Sequence, residues 1–150
     1  MHWGCFSWQG VGPIVPIQGS VTGVAYVEIL RKHAAPTFLR MFPKEKAWFQ
    51  HDNARPHTAK VSTEFLQESG MCILDWPAQS PDLNPIENLW AIVKSNIRQQ
   101  EKPPKNLLEL ERYVQDAWKA IPIITIRKLI DSMPRRIQAV IAAQGGATKY

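Results

Sequence analysis

Long apolar runs are missing from the 150-residue sequence: each is broken by proline, glycine or a charge well short of the roughly 18 residues a spanning helix needs. A soluble protein with no membrane partner is expected. Cysteine is scarce as well. Cys5 and Cys72 form no C-x-x-C pair and are too few for a disulfide framework, so reduced thiols in an intracellular protein are expected, each filling space as a small core hydrophobe. The opening "MHWGCFSWQG" has neither a basic leader nor a small-residue cleavage site, so no secretory signal is expected. Internal repeats and low-complexity tracts are also lacking. Charged residues make up only 21% of the chain against 45% hydrophobic, which excludes disorder and suits one domain with a real core.

Acidic residues are short in one half only. Residues 1–90 carry 7 Lys/Arg against 8 Asp/Glu, and residues 91–150 carry 11 against 5, so the whole net charge of +5 arises in the last 60 residues. A surface that follows phosphates belongs there, with a solvated helix face as the alternative. Lys94, Arg98, Lys128, Arg135 and Arg136 are the candidate phosphate contacts.

Two short runs, "HWGCFSW" and "GPIVPIQG", flank the turn chemistry of "QGVG" and predict a β-hairpin over 1–18. Val24, Val27, Leu30 and Ala34 recur at helical spacing and predict a helix over 22–42, with Pro36 marking a kink or a second start. "KAWFQHD" predicts a strand over 46–52, "TAKVSTEFLQESG" a helix capped near Pro56 to Thr58 and ended by Gly70, and "MCILDW" another strand. A helix over 85–100 follows, with Ile86, Leu89, Trp90, Val93 and Ile97 on its apolar face. Two further amphipathic helices fill 106–144: Leu107, Leu110, Val114, Ala117 and Trp118 line the first, and Ile126, Leu129, Ile130, Met133, Ile137, Val140 and Ile141 the last. That last stripe is read as core, with a homodimer contact as the alternative.

Chemistry concentrates at two carboxylates. Asp52 is expected at the C-terminal end of its strand, where open α/β sheets place ligand chemistry. The competing account is an Asx-turn at Asp52 or Asn53 and a helix cap at His57 or Thr58. Glu87 sits at the third position of a capping box begun by Asn84 and Pro85, which alone explains it as a helix start. The cap leaves unexplained the stiff approach "DWPAQSPDLNP", whose three prolines fix where that helix begins. Asp82, in a Ser-Pro-Asp turn, is read as structural. Between Asp52 and Glu87 lie 34 residues, room for one helix and one strand. Two such carboxylates suit Mg²⁺, which binds one or two of them together with phosphate oxygens and waters.

The segments "WFQHDNARPHTAK", "DWPAQSPDLNPIENLW", "WGCFSWQG" and "SMPRRIQAVIAAQGGATKY" resemble the catalytic domain of Tc/mariner-family transposases, members of the DDE superfamily of endonucleases. The resemblance runs from residue 1 to residue 150. It implies an α/β, ribonuclease H-like fold with a helical C-terminal part, and three acidic residues that hold two Mg²⁺ or Mn²⁺ ions. It also implies DNA cleavage and strand transfer at transposon ends and target, in the nucleus. By the same resemblance Asp52 matches the second catalytic carboxylate and Glu87 the third, while Asn53, Arg55 and His57 lie beside the metals or against the DNA backbone.

One departure matters. The family's first catalytic Asp lies on a central strand that precedes this sequence's Asp52, and upstream of Asp52 the only acidic residues are Glu28 and Glu45, neither of which ends an apolar strand. The fold is therefore expected to lack its first central strand, to be marginally stable alone, and to have no strand-cleavage activity as an isolated chain. The alternative function is a non-enzymatic DNA- or protein-binding module that acts through the basic helical end.

Overall fold

The computed structural model describes residues 1–43, 47–78 and 80–150. The chain divides into two compact units, the first formed by residues 1–4 and 15–80, the second by residues 5–14 and 81–150. The hairpin expected at the start is β1 (His2–Ser7) and β2 (Gly10–Pro16), and its strands form a two-stranded sheet. Its turn falls at Trp8–Gln9, earlier than the glycine pair suggested, and Ser7 Oγ donates to Gln9 Oε1 at 2.8 Å across it.

In the first unit, α1 (Gly23–Ile29) starts at Thr22, whose hydroxyl accepts the Ala25 N–H at 3.2 Å. The chain then widens into a π-helical segment, Leu30–Ala34, and continues as α2 (Ala35–Met41). Pro36 supplies the cause: it has no N–H to bond back one turn, and a wider turn absorbs the missing bond. The expected stripe is buried at Leu30 and Ala34 but not at Val24, and Tyr26 joins it. Tyr26, Leu30 and Ala34, spaced by four, are 1%, 0% and 3% exposed, whereas Val24 is 66% exposed. The aromatic ring rather than the β-branched residues sets the face, and it packs with Leu66 and Met71.

The helix expected around residues 58–70 is two pieces, α3 (Arg55–Thr58) and α4 (Lys60–Glu68), parted at Ala59 with ψ 143° and with no side-chain cap on either. Ala59 lies against the start of α1: a Cβ on Gly23 would meet Ala59 Cβ at 2.7 Å, so only glycine permits this approach. Ser62, fully buried, donates to the Pro56 carbonyl at 2.7 Å across the break. Gly70, at φ +70°, closes α4 in the left-handed conformation. β3 (Trp48–Phe49) and β4 (Cys72–Ile73) then pair in parallel, Trp48 opposite Cys72 and Phe49 opposite Ile73.

In the second unit, a 3₁₀ turn (Pro81–Leu83) leads to α5 (Ile86–Arg98), followed by α6 (Leu107–Lys119), α7 (Ile123–Asp131) and α8 (Met133–Ala142). The single last helix expected from periodicity is thus α7 and α8, split at Ser132 just before Pro134. Leu89 and Val93 of α5 meet Val114, Ala117 and Trp118 of α6, with Ile121 and Ile126, in one core. Trp118 is 1% exposed, stacks on Trp90 at 5.0 Å and donates its indole N–H to the Gly12 carbonyl at 2.9 Å. The last stripe is only partly core, because Ile137 and Ile141 of α8 are 41% and 63% exposed. Cys5 and Cys72 are half-buried rather than in the core. Among the described residues no helix is long and apolar enough to cross a membrane.

Candidate metal and DNA site

Asp52 does not end its strand. Pairing with β4 lasts two residues and stops at Phe49, whose carbonyl accepts the Leu74 N–H at 2.9 Å, so Asp52 stands three residues beyond the ladder in a turn. Lys46 and Glu45, expected at and before the strand's start, lie outside the described residues. The turn is an Asx-turn: Asp52 Oδ1 accepts the Ala54 N–H at 3.0 Å. The same oxygen lies 2.6 Å from His57 Nδ1, and the Asp52 carbonyl lies 3.1 Å from that nitrogen. Facing two acceptors, Nδ1 carries the proton. Oδ1 is doubly held, while Oδ2 has no partner among the described residues, and the side chain is 52% exposed. One oxygen fixes the carboxylate and the other is presented to solvent.

Asn53 ties this turn to the segment after β4, its amide donating to the Trp76 carbonyl at 2.6 Å. Arg55 opens α3 exposed and forms no ion pair among the described residues. Behind His57 lies a cluster of rings that spacing did not disclose. Tyr26 packs on His57 with centroids 4.1 Å apart, and His51 stacks on His57 at 5.1 Å. Tyr26 Oη and His51 Nδ1 share a hydrogen bond at 3.1 Å. Burial, then the nearby His57, pushes His51 down to about 4 against the pull of Asp52, so this ring is neutral near pH 7. The position of His51 beside Asp52 was a usable signal; Tyr26 gave none, lying off the apolar stripe read from the sequence.

Glu87 occupies the first turn of α5, exposed, its N–H donating to the Asn84 carbonyl at 3.1 Å. The expected capping box does not form. Pro85 precedes the helix in helical conformation and no side chain caps it, so helix capping does not account for the Glu87 carboxylate. Asp82 is structural as expected: its Oδ2 accepts the Thr148 N–H at 2.7 Å, and hydrogen bonding from the Thr148 side chain, then from its backbone, holds the carboxyl below its usual range.

Lys94 and Arg98, four apart on α5, Lys128 on α7 and Arg135 on α8 are exposed. Arg136, expected beside them, is instead 2% exposed, and each of its three guanidinium nitrogens donates a hydrogen bond inside the second unit. Glu28, upstream, lies on α1 paired with Lys32 at 2.8 Å and Arg31 at 3.4 Å, a helix-surface role. Among the described residues no three His, Cys, Asp or Glu side chains cluster tightly enough to hold a metal ion.

Asp52 thus has one carboxylate oxygen bonded within its turn, and Glu87 stands exposed on a helix start without a side-chain cap. The DDE superfamily endonuclease family matches residues 17–111, and the chain belongs to it. It is similar to the Tc1 transposase of Caenorhabditis elegans, 44% identical over the whole chain and 54% of that relative, and to the Tcb2 transposase of Caenorhabditis briggsae, 40% identical over the same shares. The chain therefore spans about half the length of these curated relatives. Its fold is that of the Mos1 mariner transposase catalytic domain, ribonuclease H-like: a structure of that domain with Raltegravir and Mg matches at TM-score 0.85 and 21% identity, over 96% of this chain and 74% of that one. A Mos1 paired-end complex with the left transposon end matches at TM-score 0.80 and 23% identity, over 97% and 42%.

Proposed function

We propose that this chain is the part of a Tc/mariner transposase catalytic domain that supplies two of the three carboxylates for metal-dependent DNA cleavage and strand transfer in the nucleus. The observation that carries it is Asp52, whose Oδ1 is held by Ala54 N–H and His57 while Oδ2 is left open. That donor chemistry fits Mg²⁺ or Mn²⁺, and Mos1 structures with either ion are similar to this fold. Asp52 and Glu87 would hold the metals, which lower the pKa of a bound water and stabilise charge on phosphate oxygens when present. Of this chain's own groups, His57 and the Ala54 N–H orient Asp52, and Asn53 fixes the turn it stands in. Transposon ends and target DNA are the substrates, and a homodimer brings two ends together; a Mos1 paired-end complex has the same fold.

The test replaces the matching segment of Tc1 transposase with residues 1–150 and measures excision of Tc1 ends. Excision that falls at least ~100-fold in both Asp52→Asn and Glu87→Gln supports the reading, since each removes a ligand the chemistry needs. Excision that survives either substitution overturns it. As the isolated 150-residue chain, two carboxylates are insufficient for the two-ion chemistry, and no Mg²⁺-dependent nicking of an end-bearing duplex is expected. A second reading, a DNA-binding module without catalysis, is favoured only by the exposed basic residues of α5, α7 and α8, and steep salt dependence with no metal requirement is its signature.

A further inference from the structure

Within the second unit, one buried cation joins three segments. Arg136 Nε donates to Ser132 Oγ at 2.8 Å, Nη1 to the Asp82 carbonyl at 2.9 Å, and Nη2 to Asn88 Oδ1 at 2.7 Å. Its guanidinium lies 4.8 Å from the centre of the Tyr150 ring, and Thr148, two residues earlier, grips the Asp82 carboxylate from the other side. The C-terminal residues, α8, the 3₁₀ turn and the first turn of α5 are thereby drawn onto a single planar fork. Burial lowers the pKa of this guanidinium from its ordinary value.

Packing alone does not call for such a residue. A buried cation costs solvation that an apolar side chain of the same volume avoids, and what this one adds in exchange is directional hydrogen bonding. What it directs is the start of α5, which has no side-chain cap of its own. One donor holds the turn five residues before Glu87, and another holds Asn88, the residue directly after it. Resting on the reading of Glu87 as a metal ligand, we infer that Arg136 is a positioning residue for Glu87, setting from the C-terminal helix where that carboxylate is presented.

The test uses the ¹⁵N-labelled 150-residue chain, reading amide hydrogen exchange and line broadening by millimolar Mn²⁺. In Arg136→Lys the charge stays and the fork is lost. Exchange at Glu87 and Asn88 is expected to rise ~tenfold, the weight of one charge-assisted hydrogen bond, with Val114 and Ala117 of α6 unchanged. Broadening at Glu87 is expected to weaken while that at Asp52 persists. Asn88→Ala, which leaves the core intact, should reproduce both effects and decides the matter if Arg136→Lys does not fold. Unchanged exchange at Glu87, or an equal rise across α6, overturns the proposal in favour of plain packing. Absence of Mn²⁺ broadening at Glu87 in the unsubstituted chain overturns the ligand reading itself and the proposal with it, a failure visible before any substitution is made.

Discussion

His57 Nδ1 lies 2.6 Å from Asp52 Oδ1, and the backbone N–H of Ala54 lies 3.0 Å from the same oxygen. Two donors on one oxygen leave the carboxylate a single orientation. Groups that orient a ligand in this way typically cost 10–100-fold in metal affinity when removed. His57→Ala is therefore expected to weaken Mn²⁺ binding at Asp52 by about 10–100-fold, read as the Mn²⁺ concentration that broadens the Ala54 amide. His57→Asn, whose amide can still donate, should recover part of that loss. Equal binding by His57→Ala and the unsubstituted chain would show that the Asx-turn alone holds Asp52.

Tyr26 supports His57 from behind, with its ring 4.1 Å away and its hydroxyl bonded to His51. Tyr26→Phe keeps the ring and removes the hydroxyl. It is expected to lower stability by about 0.5–1.5 kcal/mol, the net worth of one hydrogen bond. Tyr26→Ala empties a site that is 1% exposed and should cost about 3–5 kcal/mol, enough to unfold a marginal domain. Urea denaturation followed by Trp fluorescence separates the two. A Phe variant as damaging as Ala would mean the hydroxyl, not the ring, carries the packing.

The helical second half was legible in the sequence because it rests on local signals. The spacing of Leu89 and Val93 identified a face that is indeed buried, and "HDNARPH" placed His57 within one turn of Asp52. What stayed hidden depends on partners far along the chain. Arg136 looked like a surface cation because nothing near it in sequence shows that Asp82 and Asn88, 54 and 48 residues away, would receive its donors. The Asp52 strand looked seven residues long because hydrophobicity marks burial, whereas ladder length is set by the partner, and β4 supplies two residues. The capping box failed for a different reason: Pro85 takes helical angles and the Asn84 carbonyl accepts the Glu87 N–H, but among the described residues neither the Asn84 nor the Glu87 side chain bonds back to the other's backbone.

Asp82 gives a pH dependence whose sign is fixed by its partner. The hydrogen bonds from Thr148 lower its pKa in the folded chain, so folding favours the carboxylate. That stabilisation is fully present above the ordinary Asp value near ~3.9 and is lost as pH falls through the lower folded value. Asp82→Asn lacks the ionisation. The gap in melting temperature between the original chain and Asp82→Asn should therefore be constant above about pH 5 and close as pH drops below ~3.9. A gap that widens on acidification would reverse the sign and show that Asp82 is not held as a carboxylate.

Binding to DNA separates the buried arginine from the exposed basic residues. Lys94 and Arg98 project from α5 one turn apart, while the Arg136 fork is occupied inside the second unit. Each phosphate contact removed lowers the slope of log affinity against log salt by about 0.9. Lys94→Ala with Arg98→Ala is expected to reduce that slope by about 2 on a random-sequence duplex, in the full 150-residue chain. Arg136→Lys should leave it unchanged, since no phosphate reaches a guanidinium that is 2% exposed. The measurement is fluorescence anisotropy from 50 to 200 mM salt. A slope untouched by the double substitution would move the phosphate-tracking surface away from α5, to Lys128 and Arg135 on the last two helices.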